Sequence, residues 1–231
     1  EEVNRIVTDR ISKYLFCPTD VSVSNLKAVG FDQGDTDIVQ VGDVMFDSVL
    51  YYREKLGSRS SILAKLPVNK NQFVLTTLHR AENTNDSTRL RNICDALNEV
   101  HLKTPVVLPL HPRTKAFVRE HNIPLNVNVI EPVGYFDMLT LLDNCGLVMT
   151  DSGGLQKESY FSGKFCITLR DETEWTELVD NGFNALAGAN RDIIVRLYRE
   201  NMNKSISGKS RLYGDGNASG KIAEYLLSKL S

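Results

Sequence analysis

From Gln72 to Gly188 the chain repeats one pattern: a short, nearly continuous apolar run, a polar end, then a stretch with apolar residues at helical spacing. The runs are QFVLTTLH, TPVVLPLH, VNVIEP, GLVMTDS, KFCITLRD and NALAG. Between them lie STRLRNICDALNEVHLK, PRTKAFVREHN, YFDMLTLLDNC, GLQKESYFSG and TEWTELVDNG, each with one apolar face. Continuous apolar strands are strands buried on both sides, and intervening helices are the crossovers that a parallel ladder requires. The pattern predicts an α/β fold, a doubly wound parallel sheet with helices on both faces.

The flanks carry fewer elements. EEVNRIVTDRIS predicts a short helix with Val3, Ile6, Val7 and Ile11 on one stripe, and KYLFCPT a strand ended by Pro18. Thr19 or Asp20 caps a helix through Leu26, DIVQVGD is another short strand, and DVMFDSVLYYREKL a further helix leading into the SRSS connection. Two short strands cannot bury a sheet by themselves. Residues 1–57 are therefore expected to be the end of an N-terminal domain with a linker helix, its beginning lying before Glu1. Residues 58–204 form the α/β domain, and 205–231 hold a last helix, capped by Ser219 and carrying Ile222, Tyr225, Leu226 and Leu230.

Charge and cysteine usage narrow the partners. With 27 basic against 29 acidic residues and no run of like charge, no sequence-wide field favours nucleic acid or an anionic membrane. Cys17, Cys94, Cys145 and Cys166 lie far apart in apolar or helical contexts, so they are expected to be reduced and buried in a cytoplasmic protein. No apolar stretch approaches the roughly 18 to 20 residues of a membrane span, and no signal pattern opens the chain. The four histidines show neither HxxxH nor HExxH spacing, so no metal is expected.

Ligands of open α/β sheets bind beyond the carboxyl ends of the strands. Four such ends are polar here: LHRAEN, LHPRT, TDSGG and LRDETEW. At Ser152, Gly153 and Gly154 a strand enters a helix through two glycines, so amide N–H groups can face a diphosphate, and Glu158 one turn on can accept from both ribose hydroxyls. The pattern is neither GxGxxG nor a P-loop. Taken alone, the glycines read rather as a left-handed turn with Asp151 as helix cap. His79, Arg80 and Glu82 suit an anion whose charge changes during reaction, or His79 merely bonds its loop. His111 and Arg113 repeat the arrangement one strand later, whereas His101 and His121 are expected at the surface. Trp175, after Arg170, Asp171 and Glu172, either stacks on a base or sugar or packs under a loop. Tyr213 to Gly216 are expected to form a turn before the last helix, structural or a hinge.

With HRAEN, LHPRT, DSGGLQKE, LRDETEW and YGDG in this order, the whole chain resembles the non-hydrolysing UDP-N-acetylglucosamine 2-epimerases. The resemblance implies a glycosyltransferase-B-like pair of Rossmann-like domains, a C-terminal domain that holds UDP, and a last helix returning toward the first domain. It puts UDP contacts on Ser152, Gly153, Gly154 and Glu158, the essential histidine on His79, and one acid/base carboxylate on Glu1, since EEVNR is similar to the family's PEE-N-R. The remaining catalytic acids are expected before Glu1, so the chain alone is expected to be inactive. Arg80, Glu82, His111, Arg113, Arg170 and Trp175 are candidate substrate contacts. The implied reaction interconverts UDP-GlcNAc and UDP-ManNAc, for surface polysaccharide precursors, by elimination and re-addition of UDP without a cofactor, in a homodimer.

Thr173-Glu174-Trp175 stands where the family often has TER, Val133 and Met138 where it often has a glutamine and an aromatic, and HRAEN replaces HRREN. These departures resemble the branch acting on UDP-2,3-diacetamido-2,3-dideoxyglucuronate. Two other classes compete, a glycosyltransferase of the same architecture and a nucleotide-sugar binding module. Retaining members of the former carry two glutamates separated by seven residues, and the positions at that distance from Glu158 are Thr150 and Cys166.

Overall fold

The first elements form around two short parallel strands. In the computed structural model, which describes residues 2–56, 60–206 and 211–230, α1 (Glu2–Ile11), β1 (Tyr14–Cys17), α2 (Asp20–Ala28) and β2 (Asp37–Gln40) precede α3 (Val44–Leu56). The strands pair in register from Tyr14 with Asp37 to Cys17 with Gln40. Thr19 caps α2: its hydroxyl accepts from the Ser22 amide at 3.2 Å while the Ser22 hydroxyl accepts the Thr19 amide at 3.0 Å, a reciprocal capping box. The chain divides into two units, one of Glu1–Tyr51 with Ser210–Ser231 and the other of Tyr52–Lys209.

The second unit contains the repeated pattern. After a short 3₁₀ helix at Ile62–Lys65, which the periodicity does not foretell, come β3 (Val74–Thr77), α4 (Ala81–Thr84), α5 (Ser87–His101), β4 (Val106–Pro109) and α6 (Pro112–Glu120). β5 (Asn128–Ile130), α7 (Tyr135–Asn144), β6 (Leu147–Thr150), α8 (Gly153–Phe161), β7 (Cys166–Thr168), α9 (Thr176–Asp180), β8 (Asn184–Leu186) and α10 (Arg191–Asn201) follow. All the pairings among these strands are parallel, in the order β5-β4-β3-β6-β7-β8. The chain thus starts in the middle of the sheet, winds outward to β5, then returns beside β3 with β6 and winds to the other edge. The direction reverses between β3 and β6, and in open α/β sheets the ligand crevice lies at such a point, beyond the carboxyl ends of the strands.

Phe73, Leu75, Val107, Leu141, Leu142, Cys145, Val148, Leu155 and Cys166 form one buried cluster against which Ile62, Leu63, Val133 and Met138 pack. Each such side chain contributes about 1.5–3 kcal/mol by leaving water. The cysteines are free and buried, and burial pushes the thiols of Cys94, Cys145 and Cys166 up to about 12. The sequence expectations name no element between Gly188 and Ser207, yet α10 is a clear amphipathic helix there. Ile194, Val195 and Tyr198 are buried, Asn190 caps it by accepting from the Ile193 amide at 3.1 Å, and Tyr198 Oη lies 2.6 Å from Thr104 Oγ1.

The last helix, α11 (Ala218–Leu230), belongs to the first unit. Ser219 is not its cap, because the helix begins one residue earlier and Asp47 of α3 takes that job. The Asp47 carboxylate accepts the Ala218 amide at 3.0 Å, the Ser219 amide at 2.7 Å and the Ser219 hydroxyl at 2.7 Å. Burial pushes the Asp47 carboxyl up, but these three donors together outweigh it and hold it below the usual carboxylate range. Before the helix, Tyr213 is buried and its carbonyl accepts from the Asp43 amide at 3.1 Å. Gly42 and Gly214 meet backbone to backbone with φ of 96° and 88°, and a Cβ on Gly42 would lie 3.0 Å from the Tyr213 carbonyl oxygen.

Candidate functional site

β3 and β6 end side by side, Thr77 opposite Thr150, with their hydroxyls 2.6 Å apart. From the end of β6 the chain turns at Asp151 and Ser152 into α8. The Thr150 hydroxyl accepts the Ser152 amide at 2.9 Å, and Ser152, not Asp151, is the helix cap, its hydroxyl accepting from the Leu155 amide at 3.4 Å. Gly153 and Gly154 are the first two residues of α8, so their amides have no helical carbonyl to bond and carry the positive end of the helix dipole. A Cβ on Gly153 would lie 3.7 Å from each of Arg80 Nη2, Glu174 Oε2 and Trp175 Nε1, so these three groups ring the helix terminus.

Asp151 is fully buried and faces the end of β3 instead. Its carboxylate accepts the His79 amide at 3.0 and 3.1 Å, the Arg80 amide at 2.9 Å and the Asn83 side-chain amide at 3.3 Å. His79 Nδ1 lies 3.2 Å from Asp151 Oδ1, while its ring is 52% exposed. Asn83, buried in α4, also donates to the Leu169 carbonyl at 2.8 Å and accepts from Arg89 Nε at 3.1 Å. One acid after β6 therefore organises the whole loop after β3.

Glu158 stands one turn into α8, half-buried. Burial pushes its carboxyl up, opposed by the hydrogen bond that the Tyr135 hydroxyl donates and by the Lys157 charge. Burial and the neighbouring Glu158 charge push the Tyr135 phenol up to about 12. Lys157 is buried with its ammonium 4.2 Å from the centre of the Trp175 ring, and Trp175 Nε1 donates to the Gly153 carbonyl at 2.8 Å. Trp175 braces the turn by this bond, in keeping with packing against a loop.

Other candidates are held by the protein itself. Arg170 is only 6% exposed; it donates through Nη1 to both Glu174 oxygens at 3.1 and 2.9 Å, and its Nε lies 3.5 Å from Glu82 Oε1. His111 caps α6 by accepting the Arg113 amide at 3.2 Å, and Arg113 Nη2 reaches Asn85 Oδ1 at 3.4 Å. Both residues are exposed. His101 and His121 are half-buried rather than surface residues: His101 Nδ1 accepts the Val106 amide at 3.0 Å, and His121 stacks on Phe117 at 4.0 Å. Glu1 lies outside the described residues. Among the described residues no group of three or more His, Cys, Asp or Glu could hold a metal ion, and no helix is long and apolar enough to cross a membrane.

Sequence reasoning missed Asp151 as an organiser, Asn83 beneath it, Tyr135 on Glu158 and Lys157 on Trp175. Asp151 is legible in principle as an acid between an apolar run and two glycines, but a cap gives the same pattern.

The family model described as UDP-N-acetylglucosamine 2-epimerase matches residues 1–227. The UDP-2,3-diacetamido-2,3-dideoxy-D-glucuronate 2-epimerase of Pseudomonas aeruginosa is 51% identical over 98% of the chain and 63% of that relative. The crystal structure of Methanocaldococcus jannaschii UDP-GlcNAc 2-epimerase in complex with UDP-GlcNAc and UDP is similar with a TM-score of 0.86 at 34% identity, over 99% of the chain and 64% of that structure. That of the Neisseria meningitidis enzyme bound to UDP-GlcNAc has a TM-score of 0.82 at 30% identity, over 99% of the chain and 65% of that structure. The chain spans under two thirds of the length of the curated relatives it matches. A match over nearly every residue, on an α/β unit with the HRAEN and TDSGG ends side by side, means that the chain belongs to the UDP-N-acetylglucosamine 2-epimerase family.

Proposed function

We propose that this chain is the UDP-binding portion of a nucleotide-sugar 2-epimerase, an isomerase that works by eliminating UDP and adding it back. The observation that carries the reading is the meeting of the TDSGG turn and the HRAEN loop on one buried carboxylate at the switch point of the sheet. In this reading the Gly153 and Gly154 amides and the Ser152 hydroxyl hold the diphosphate, and Glu158 accepts from the ribose hydroxyls. Arg80 and His79 face the same anion, and Trp175, Arg170 and Glu82 fix the loops around it. His111 and Arg113 lie at the next strand end, within reach of a longer ligand.

The C2 proton of the sugar is not next to a carbonyl, so its direct removal is unfavourable. In the proposed reaction the C1–O bond to UDP breaks as C2 loses its proton, giving a 2-acetamidoglucal. A proton then returns to C2 from the opposite face and UDP rebonds to C1. Neutralising the departing diphosphate lowers the barrier to the first step. Two acid/base groups on opposite faces are needed, and Glu1 is proposed as one of them.

The 51% identity to an enzyme named for a diacetamido glucuronate supports that sugar beside UDP-GlcNAc. Residues 1–57 are proposed as the end of an N-terminal domain, in keeping with the exposed stripe of Val3, Ile6, Val7 and Ile11 on α1. A homodimer in the cytoplasm completes the proposal. In the natural protein that carries this chain, UDP is expected to bind saturably, and Glu158→Ala to weaken that binding at least about tenfold, the loss of one charge-assisted hydrogen bond. The C2 proton is expected to exchange with deuterated water on UDP-GlcNAc or on the diacetamido uronate, and exchange on neither sugar rejects the epimerase reading.

A further inference from the structure

We infer that Asp151 is a positioning residue for His79, setting which ring nitrogen carries the proton and which one is offered to the ligand. Four groups of the β3 end converge on it: the His79 and Arg80 amides, the Asn83 side-chain amide and His79 Nδ1. A structural tie between two loops needs only the backbone contacts. The fourth, at 3.2 Å, is made to the imidazole itself. Nδ1 approaches that carboxylate to 3.2 Å without an aligned hydrogen bond, and a bare lone pair held so close to a carboxylate oxygen would be repelled, so the ring nitrogen facing it bears the hydrogen and the neutral ring keeps Nε2 free to accept. The ring is 52% exposed, so Nε2 is the nitrogen that a bound sugar nucleotide meets.

The origin of the carboxylate matters as well. Asp151 directly precedes Ser152, Gly153 and Gly154, so the residue orienting His79 belongs to the turn proposed to hold the departing diphosphate. Thr150, one residue earlier, bonds across to Thr77 of β3 at 2.6 Å, which ties the two strand ends side by side. The leaving-group turn and the histidine thus share one buried side chain. The kinetic consequence rests on the epimerase reading, whereas the orientation of the ring does not.

Asp151→Asn tests this, because an amide of the same shape keeps a carbonyl for the backbone N–H groups and turns an N–H toward the imidazole. In the natural protein, ¹⁵N spectra at a pH where imidazoles are neutral are expected to show His79 protonated at Nδ1. In the variant the proton is expected at Nε2. The same tautomer in both proteins overturns the inference, whether or not any epimerisation is found. In turnover, Asp151→Asn is expected to lower kcat by about a hundredfold or more, as a wrong tautomer does in other histidine-dependent enzymes, with KM for the UDP-sugar within about twofold. Asn83→Ala, which loosens the loop but spares the carboxylate, leaves the tautomer unchanged and costs kcat far less. Equal losses of kcat in the two variants assign Asp151 to loop structure alone and refute the proposal.

Discussion

Gly153→Ala separates a glycine kept for the fold from one kept for a ligand. Gly153 is helical and has no positive φ, and the added methyl would find its nearest neighbours, Arg80 Nη2, Glu174 Oε2 and Trp175 Nε1, all at 3.7 Å. That is ordinary contact, so the fold has room for alanine. Replacing glycine where the backbone already suits alanine stabilises by about 0.4–1 kcal/mol through the unfolded chain, which raises Tm by up to a few degrees in a unit of this size. For a diphosphate the same methyl stands among the groups that ring the helix terminus. An anion oxygen held about 2.9 Å from a Gly153 or Gly154 amide competes with it for that space. Losing one hydrogen bond to a charged group costs about 1.5–3 kcal/mol, or roughly ten- to hundredfold in Kd. Thermal unfolding and calorimetric titration with UDP on the same preparation are expected to show Tm unchanged or higher and Kd weaker by that factor. A Kd within twofold of wild type would refute the assignment of this turn to the diphosphate.

Glu158 must be ionised to accept from two hydroxyls, and its carboxyl is raised, chiefly by burial. Affinity for a UDP-sugar, whose diesterified diphosphate does not titrate here, should therefore rise with pH from the ordinary glutamate range up through the raised value. A rise that persists in Glu158→Gln would detach it from this residue. Asp47, by contrast, is depressed on folding, so its hold on α11 is fully present above the ordinary aspartate value near 4 and is lost as pH falls through the depressed one. Asp47→Ala should cost about 1 kcal/mol, the worth of a helix cap, seen as faster amide exchange at residues 218–222. Unchanged exchange there would show that the cap is idle.

What was legible in the chain follows from how local each cause is. Val106 to Pro109 and Leu147 to Thr150 are buried on both faces, and burial on both faces leaves an apolar run that any reading finds. The parallel α/β class and the polar strand ends follow from it. Asp47 as a cap for Ala218 and Ser219 does not, because the acid and the helix it serves are far apart in sequence. Asp151 is ambiguous for the same reason: its sequence neighbours suggest α8, while its partners His79, Arg80 and Asn83 come from the other side of the crevice. Arg170 reads as an available cation until Glu174 and Glu82 are seen beside it. In α10 the signal is local, with Ile194, Val195 and Tyr198 at helical spacing, although the expectations name no element there.

The pairing of Val74 with Leu147 joins the middle of the sheet across two complete strand–helix excursions. Contacts so distant in sequence carry a closure entropy that must be met before they return any stabilisation, and they slow folding. During synthesis β3 would wait, with one side unpaired, until β6 has emerged. Its temporary neighbours are β4 and α5, and its open edge is the region most exposed to wrong pairing. The His79 loop cannot take its final form before then, since its organising acid is made after β6. Recovery of UDP binding should accordingly be among the last signals in refolding, and a sensitive measure of whether the two halves of the sheet have joined.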